Sequence, residues 1–517
     1  MPNPAKPIRV CVLVCSYEGS DSELKTYEGQ LVQTPEHYFS EEDSKTVVFS
    51  LSFIKKATTY RQIRQLVKSG NFDVFYNQCD GAIDEDKAGV DVVQALESFN
   101  VPFTGAISKY YELSKPQMKQ LAHYFNIKSA KYAVIEAGDN VRDLCAPLTF
   151  PLIIKHVSGY SSVGMDKSCK VYDEPSLHNR VARFIEQYQV ALVEEFVTGD
   201  EATVLVCADG TQPDGIRVFP PVMVQFPEGE DFKHFHLKWE TYEGMKWHLM
   251  PADDPALPQV IRIARTSFMH MMGNVGYGRV DVRIDRSTND VIFLEINPNC
   301  GVMYPYGQEG SADWILRLNP EMKQKEFALL QIHEALKRHE RNTPLFRCVY
   351  HPARGYRICA IRDISAGVLI FEAEGRLLRI CSKPYVQAVW GSEKYEHFAQ
   401  TAWPLGSDGH YYAMWDQEPS EWRALTHSCS PNMGFGPNRS LNVHALRDIK
   451  KGEVLTMDFR TFMDETMPPF RCECKAPECG GLIAPGAKPT AVAEVVAPTV
   501  TQWYDIPTTT LMTKQQT

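Results

Sequence analysis

The strongest constraint in this chain is a pair of alternating arms. Gly278 to Asp285 and Val291 to Asn297 each alternate with a period of two. Arg286 to Asp290 supplies a polar turn between them, so the spacing predicts an antiparallel hairpin. Val280, Val282 and Ile284 fall on one face of the first arm, and Ile292, Leu294 and Ile296 on one face of the second. The opposite face then carries Asp281, Glu295 and Asn297. Two carboxylates and a carboxamide on one wet face suit Mg²⁺, which takes oxygen ligands and shares phosphate oxygens. A polar face turned to solvent would give the same pattern, so the hairpin needs support from elsewhere.

That support lies upstream. Pro151 to Lys155 reads as a buried strand ending in a lysine, followed by the glycine- and serine-rich stretch His156 to Met165. Glycine lets backbone N–H groups approach phosphate oxygens closely. No Gly-Lys-Ser/Thr follows, so this is not the common phosphate loop. Glu194-Glu195 comes next, ahead of the acidic hairpin.

In that order these features resemble the ATP-grasp superfamily, and within it the D-alanine–D-alanine ligases, over about residues 8–320. Phe72 to Phe75, Asp80-Gly81 and Glu85-Asp86 resemble the family's early strand and its His-Gly…Gly-Glu-Asp-Gly segment. Pro102 to Gly105 resembles its Pro-Tyr-Thr-Gly step. The resemblance implies that Lys115 and Lys155 bind phosphates and that Ser161, Ser162 and Gly164 belong to the loop over them. It places Glu194, Glu195 and Glu201 on the adenine and ribose segment and Lys238 on the lid loop. Asp281, Glu295 and Asn297 match the Mg²⁺ ligands, Arg279 the arginine that steadies an acyl phosphate, and Gly301 the glycine behind the tetrahedral intermediate. Glu23, with Glu18 as the alternative, matches the glutamate for the first substrate's ammonium. Tyr306 departs from the pattern, since it stands where the ligases have a serine that grips the second carboxylate.

The 517-residue length implies several domains, and a net charge of −10 disfavours a nucleic-acid partner. No apolar run reaches the length of a membrane helix, and no signal peptide is evident. Fourteen cysteines in such a chain suggest reduced thiols and a metal site. Pro258 to Asn274 reads as an amphipathic helix whose Met269, Met271 and Met272 fill core space. His234 and His236 lack a third ligand and read as outward residues of a lid strand.

A second chemistry begins near Leu345. Ala360 to Ile370 reads as strand, turn, strand; Arg423 to Asn432 and Ala445 to Phe459 follow. Cys472, Cys474 and Cys479 cannot close a zinc site alone, and Cys429 supplies a fourth thiolate for a Cys₄ site. Residues 346–484 resemble the SET methyltransferases with a post-SET zinc segment. The resemblance implies S-adenosylmethionine bound by Arg354, Gly355, Arg423, Thr426 and His427. Ala353-Arg354-Gly355 stands for the usual Gly-x-Gly, and Thr426 for the asparagine before His427. Phe459 replaces the catalytic tyrosine, leaving Tyr411 or Tyr412 to supply a phenol.

The expected architecture is multidomain, α/β followed by mostly β. It comprises a parallel-sheet domain (1–115), an ATP-grasp domain (116–320), a linker helix (321–345), a SET domain (346–466), a post-SET segment (467–484) and a disordered tail (485–517). The expected function is an ATP- and Mg²⁺-dependent carboxylate–amine ligase fused to a methyltransferase, in the cytoplasm. A rival reading makes lysine methylation the main activity, and another makes the SET half a binding module. Expected partners are small amino acids or peptides, a protein lysine and a second copy of the chain, without membrane or nucleic acid.

Overall fold

The computed structural model describes residues 6–19, 25, 32–83, 85–158, 164–234, 237, 244–372, 378–405, 410–415, 423–436 and 442–486. Glu23, Ser161, Ser162, Lys238, His236 and the tail from 487 onward lie outside them. The chain forms two units, Met1–Asn342 and Thr343–Thr517.

The first unit opens with a parallel sheet in which β1 (Ile8–Cys15) lies between β2 (Val47–Ile54) and β3 (Val74–Asn77). The central strand is apolar on both faces because both are covered. Val10, Val12 and Val14 enter one core while Cys11, Leu13 and Cys15 enter another. An antiparallel sheet follows, ordered β4 (Tyr132–Glu136), β7 (Val190–Glu195), β5 (Leu152–Lys155), β6 (Lys170–Val171). The largest sheet runs β11 (Lys246–Leu249), β10 (Val222–Gln225), β8 (Asp200–Ala208), β12 (Tyr277–Asp285), β13 (Asp290–Pro298), with β9 (Ile216–Val218) on β8.

The expected hairpin is β12–β13, but its second arm faces otherwise than strict alternation predicts. The pairing shifts between Asp281 and Val282, so Asp281 opposes Glu295 while Val282 opposes Phe293. Leu294 is the extra residue of a β-bulge. The bulge resets the alternation: Val291, Phe293 and Ile296 are buried, and Ile292 and Leu294 are not fully so. The first arm follows expectation, with Val280, Val282 and Ile284 fully buried in the same core. The helix Leu257–Met271 packs there too, burying Met271 and, just beyond it, Met272.

The expected linker helix is Gln324–Asn342, and it belongs to the first unit. Phe327, Ala328, Ile332 and Ala335 bury one face in that unit's core, and Arg338 donates to the carbonyls of Phe103 and Gly105. Charged residues on its other face gave the sequence its linker-like look.

The second unit is built of short strands. β14 (Phe346–His351) and β15 (Gly355–Ala360) form a hairpin; β16 (Leu369–Phe371) pairs with β22 (Val443–Ala445), which pairs with β21 (Met433–Phe435). β19 (Tyr411–Trp415) lies between β17 (Leu378–Ser382) and β18 (Trp403–Leu405). β20 (Thr426–His427) and β23 (Thr456–Met457) pair in parallel, and β24 (Phe470–Arg471) pairs with β25 (Leu482–Ile483).

One buried carboxyl fixes the loop after β13. Asp313, on the helix Ser311–Leu318, accepts from the backbone N–H of Met303 at 2.8 Å and from those of Tyr304 and Gly310 at 3.4 Å. Burial raises this carboxyl to about 7, and nearby Glu309 adds to the rise against these hydrogen bonds. The folded protein therefore binds the proton more tightly than the unfolded chain, whose aspartates titrate near ~4. Stability should fall as pH rises from about 4 to about 7, by on the order of 4 kcal/mol. Asp313→Asn should flatten that segment of the curve, as urea unfolding across the range would measure; an unchanged slope would remove Asp313 as its source.

Candidate functional site

The acidic face of β12–β13 is as compact as the sequence suggested. Asn297 Nδ2 lies 3.1 Å from Asp281 Oδ2 and 3.3 Å from Glu295 Oε1. Arg279 donates to both Asp281 oxygens, from Nε at 2.9 Å and a terminal nitrogen at 2.8 Å, and Thr203 Oγ1 donates to Oδ1 at 2.7 Å. Burial works against ionisation of Asp281, yet Arg279 holds it down at about 2, aided by Lys233 and Thr203. Lys115 Nζ stands 3.1 Å from Glu295 Oε2, which is likewise held below its ordinary range despite burial. With Asn297 turned so that its carbonyl faces inward, the donor set is three oxygens of the kind a hard cation takes.

Lys115 opens the helix Lys115–Tyr124, where Ser114 and Gln117 form a capping box. One turn on, Lys119 is almost wholly buried and lies 3.3 Å from Glu194 Oε1. Lys155, the last residue of β5, lies 3.0 Å from Glu194 Oε2. Burial opposes ionisation of Glu194, but the two lysines hold it at about 2. Glu201 is met by Lys233 at 2.8 Å and Arg283 at 3.1 Å, and its carboxyl is lowered by them against burial. Lys115, Lys119, Lys155, Lys233, Arg279 and Arg283 thus gather around Glu194, Glu201, Asp281 and Glu295. Cations drawn together in this way suit a polyanion.

Glu195 does not join them. Strand alternation turns its side chain to the other face of β7, where it accepts from the Thr149 N–H and faces Lys131. Glu18 is exposed and paired with Lys55. Gly164, at φ +71, has no room for a Cβ, which would meet the Tyr188 hydroxyl at 2.4 Å. His234 is buried, not outward: Nε2 faces Glu230 and Nδ1 accepts from the Leu237 N–H. Lys119, Thr203, Lys233 and Arg283 were not anticipated. Lys119 had a signal, four residues from Lys115 on one helix face. Arg283 had one too, two residues from Asp281 on a strand. Thr203 had none, because it opposes Asp281 only through the β8–β12 register.

Beyond β13, a Cβ on Gly301 would come within 2.9 Å of the Tyr304 hydroxyl, so only glycine leaves this approach open. Tyr38 donates to the Tyr304 carbonyl at 2.6 Å and packs edge-on against Tyr306, whose ring is largely exposed.

In the second unit the thiols of Cys429, Cys472, Cys474 and Cys479 lie within 4.8 Å of one another. A tetrahedral ion with bonds of about 2.3 Å needs sulfurs roughly 3.8 Å apart, and Cys429 and Cys472 are at 3.9 Å. Burial would raise Cys474, but the N–H groups of Cys429 and Ala476 and the neighbouring thiols bring it to about 6. Burial lowers His427 below its ordinary value, against the pull of Asp458. Thr426 and His427 form β20; Gly355, at φ +69, ends the turn that exposes Arg354; the Arg423 guanidinium covers the Phe371 ring at 4.4 Å. Tyr412 is fully buried and donates to Asp464 Oδ2 at 2.6 Å, while Tyr411 is half exposed. Phe459 sits in another aromatic group, with His427, Phe462 and Phe470. The Tyr412 phenol is therefore engaged by Asp464.

Glu194→Gln should leave two buried ammonium groups facing a neutral amide. Denaturant unfolding should show a loss of about 3–5 kcal/mol, as expected when one partner of a buried ion pair is removed. A loss below ~1 kcal/mol would mean that water reaches both lysines.

Residues 120–305 match the family described as D-ala D-ala ligase C-terminus, and residues 355–460 match the SET domain. The D-alanine–D-alanine ligase B of Xanthomonas campestris pv. campestris is 29% identical over 248 residues, spanning 46% of this chain and 72% of that protein. The D-alanine–D-alanine ligase of Haemophilus ducreyi is 30% identical over 213 residues, spanning 40% of this chain and 65% of that protein. The solved D-alanine–D-alanine ligase of Bacillus anthracis complexed with ATP superposes with a TM-score of 0.48 at 15% identity, covering 65% of this chain and all of that one. No helix among the described residues is long and apolar enough to cross a membrane. Residues 120–305 thus form a D-Ala–D-Ala ligase C-terminal domain, and residues 355–460 are a SET domain.

Proposed function

We infer that the first unit is an ATP-dependent ligase that joins a small carboxylate to an amine through an acyl phosphate, and that the SET unit is an S-adenosylmethionine-dependent methyltransferase. The observation that carries the ligase reading is the oxygen cage of Asp281, Glu295 and Asn297, ringed by Lys115, Lys155 and Arg279. When bound there, Mg²⁺ supplies charge neutralisation and Lewis acidity toward phosphate oxygens. Lys115 and Lys155 stand ready to exchange their carboxylate partners for phosphate oxygens. Arg279, fixed by Asp281, offers donors to the charge that develops as the amine attacks. The amine's lone pair forms the new C–N bond, the acyl C–O bond to phosphate breaks, and phosphate leaves with that electron pair. Gly301 leaves the backbone approach open, and Tyr306 shapes the acceptor end where a serine stands in the ligases.

The substrates are small amino acids or peptides, in keeping with the relatives' names. In the SET unit, Arg354, Gly355, Arg423, Thr426 and His427 bind the methyl donor, Zn²⁺ takes the four thiols, and the acceptor is a protein lysine. The missing phenol at position 459 makes cofactor binding and methyl transfer separable quantities, so a test should read each alone.

Asp281→Asn and Glu295→Gln should each lower ADP release by two orders of magnitude or more while the protein stays folded. Wild-type turnover in a folded double variant would sink the cage as the catalytic centre. Tyr306→Ser should widen the acceptor range toward small amino acids, as a screen of ADP release over amino acids and short peptides would show. An unchanged profile would remove Tyr306 from the pocket. Metal analysis of the purified chain should find one zinc, and Cys474→Ser should lose it; a zinc-free wild type would overturn the Cys₄ assignment.

A further inference from the structure

The ring of His427 is held at both nitrogens. Nδ1 accepts the N–H of Phe459 at 3.1 Å, and Nε2 lies 3.4 Å from Cys429 Sγ. A neutral imidazole carries one hydrogen. Since Nδ1 is the acceptor, that hydrogen is on Nε2 and points at sulfur. A metal-bound thiolate is a better acceptor than a thiol, so this contact tightens when the cysteines hold an ion. The same ring packs edge-on against both Phe459 and Phe470, with centroids 5.5 Å away in each case. Phe470 lies in the segment that leads into Cys472 and Cys474. Neighbouring contacts complete the connection: β20 pairs in parallel with β23, and Ser428 donates to the Met457 carbonyl at 2.9 Å. Asp458, next to Phe459, is itself locked by Arg460 at 2.6 Å and 2.8 Å.

We propose that His427 is a positioning residue that couples the four-thiol metal centre to the Asp458–Phe459 turn, by donating to Cys429 Sγ and accepting from the Phe459 N–H. It rests on the zinc reading above and goes beyond it. Metal occupancy then sets the order of that turn. Losing the ion leaves the four thiols free to separate, so Cys429 Sγ moves away from Nε2 and the ring is freed. The Phe459 N–H, which has no other acceptor on its own short helical turn, then opens to solvent more often.

The experiment uses the full-length chain, with zinc content measured first. Hydrogen exchange of the peptide spanning residues 457–462 is followed in the zinc-loaded protein and after removal of zinc by a chelator. Zinc release to a chromogenic chelator is followed in parallel for the wild type, His427→Asn and His427→Gln. Asn offers an acceptor near the Nδ1 position but cannot reach the sulfur; Gln reaches toward the sulfur without an acceptor placed for Phe459. Removal of zinc from the wild type should speed exchange of 457–462 about tenfold, and His427→Asn should release zinc about tenfold faster, within the usual range for losing a ligand's hydrogen-bond partner. In His427→Gln, exchange of 457–462 should already be fast with zinc bound. A purely structural histidine would destabilise the unit without breaking this link between metal and turn. Equal exchange in zinc-loaded and zinc-free wild type overturns the coupling even if both variants fail to fold. Zinc held as firmly by His427→Asn as by the wild type overturns the Nε2–H···S contact. A wild type that never held zinc overturns the metal reading itself, and the content measurement tells that case from the others.

Discussion

The register between Asp281 and Glu295 is the constraint on which the first unit depends. Two carboxylates directly opposite each other on neighbouring strands repel, and they stay together only because cations surround them. Arg279 and Lys115 do this at the cage itself, and Lys119 and Lys155 do it at Glu194. A slip of one residue would turn Asp281 into the core and bring Val280 or Val282 to the polar face. The apolar face forbids that slip, since Val280, Val282 and Ile284 are fully buried against β8 and the helix Leu257–Met271. The bulge at Leu294 lets one strand serve both needs. It allows Val291 and Phe293 to pack beneath the sheet while Glu295 and Asn297 stay above it.

The rest of the first unit can be seen as supports for this pair. β1 and β8 each divide their side chains between two cores, so the sheets that carry the site are packed on both faces. The helix Gln324–Asn342 closes one of those cores and reaches back, through Arg338, to the loop at Phe103 and Gly105. Asp313 pins the backbone of Met303 and Tyr304, holding the segment after Gly301 at a fixed height. These are ordinary packing and hydrogen-bonding devices.

The second unit is stabilised differently. Its strands are short, and β20 and β23 pair over only two residues each. A pairing that small cannot hold two distant segments by backbone hydrogen bonds alone. Side chains finish the work: Asn432 donates to the Val454 carbonyl at 2.9 Å and accepts from the Thr456 N–H at 2.8 Å, and the four thiols gather Cys429 with the segment from Cys472 to Cys479.

Much of this was legible in the sequence because it rests on periodicity and spacing. The two alternating arms required a hairpin with Asp281, Glu295 and Asn297 on one side. The resemblance to the D-alanine–D-alanine ligases marked Lys115 and Lys155 as phosphate lysines, and Cys-x-Cys with a third cysteine five residues on asked for a fourth thiol from afar. Tertiary structure decided the remainder. No local rule announces the bulge at Leu294, which arises because two faces of one strand must satisfy different neighbours. Burial turned Lys119 and Arg283 from ordinary surface cations into partners of Glu194 and Glu201, and alternation along β7 sent Glu195 away from them. The helix at 324–342 looked like a spacer because its charges are visible in the sequence, while the core that receives Phe327 and Ile332 exists only once β3, β8 and the helix Ser311–Leu318 have come together. The sequence by itself determined which chemistry could be present; which side chains share a charge, and which are spent on packing, depended on contacts between residues far apart along the chain.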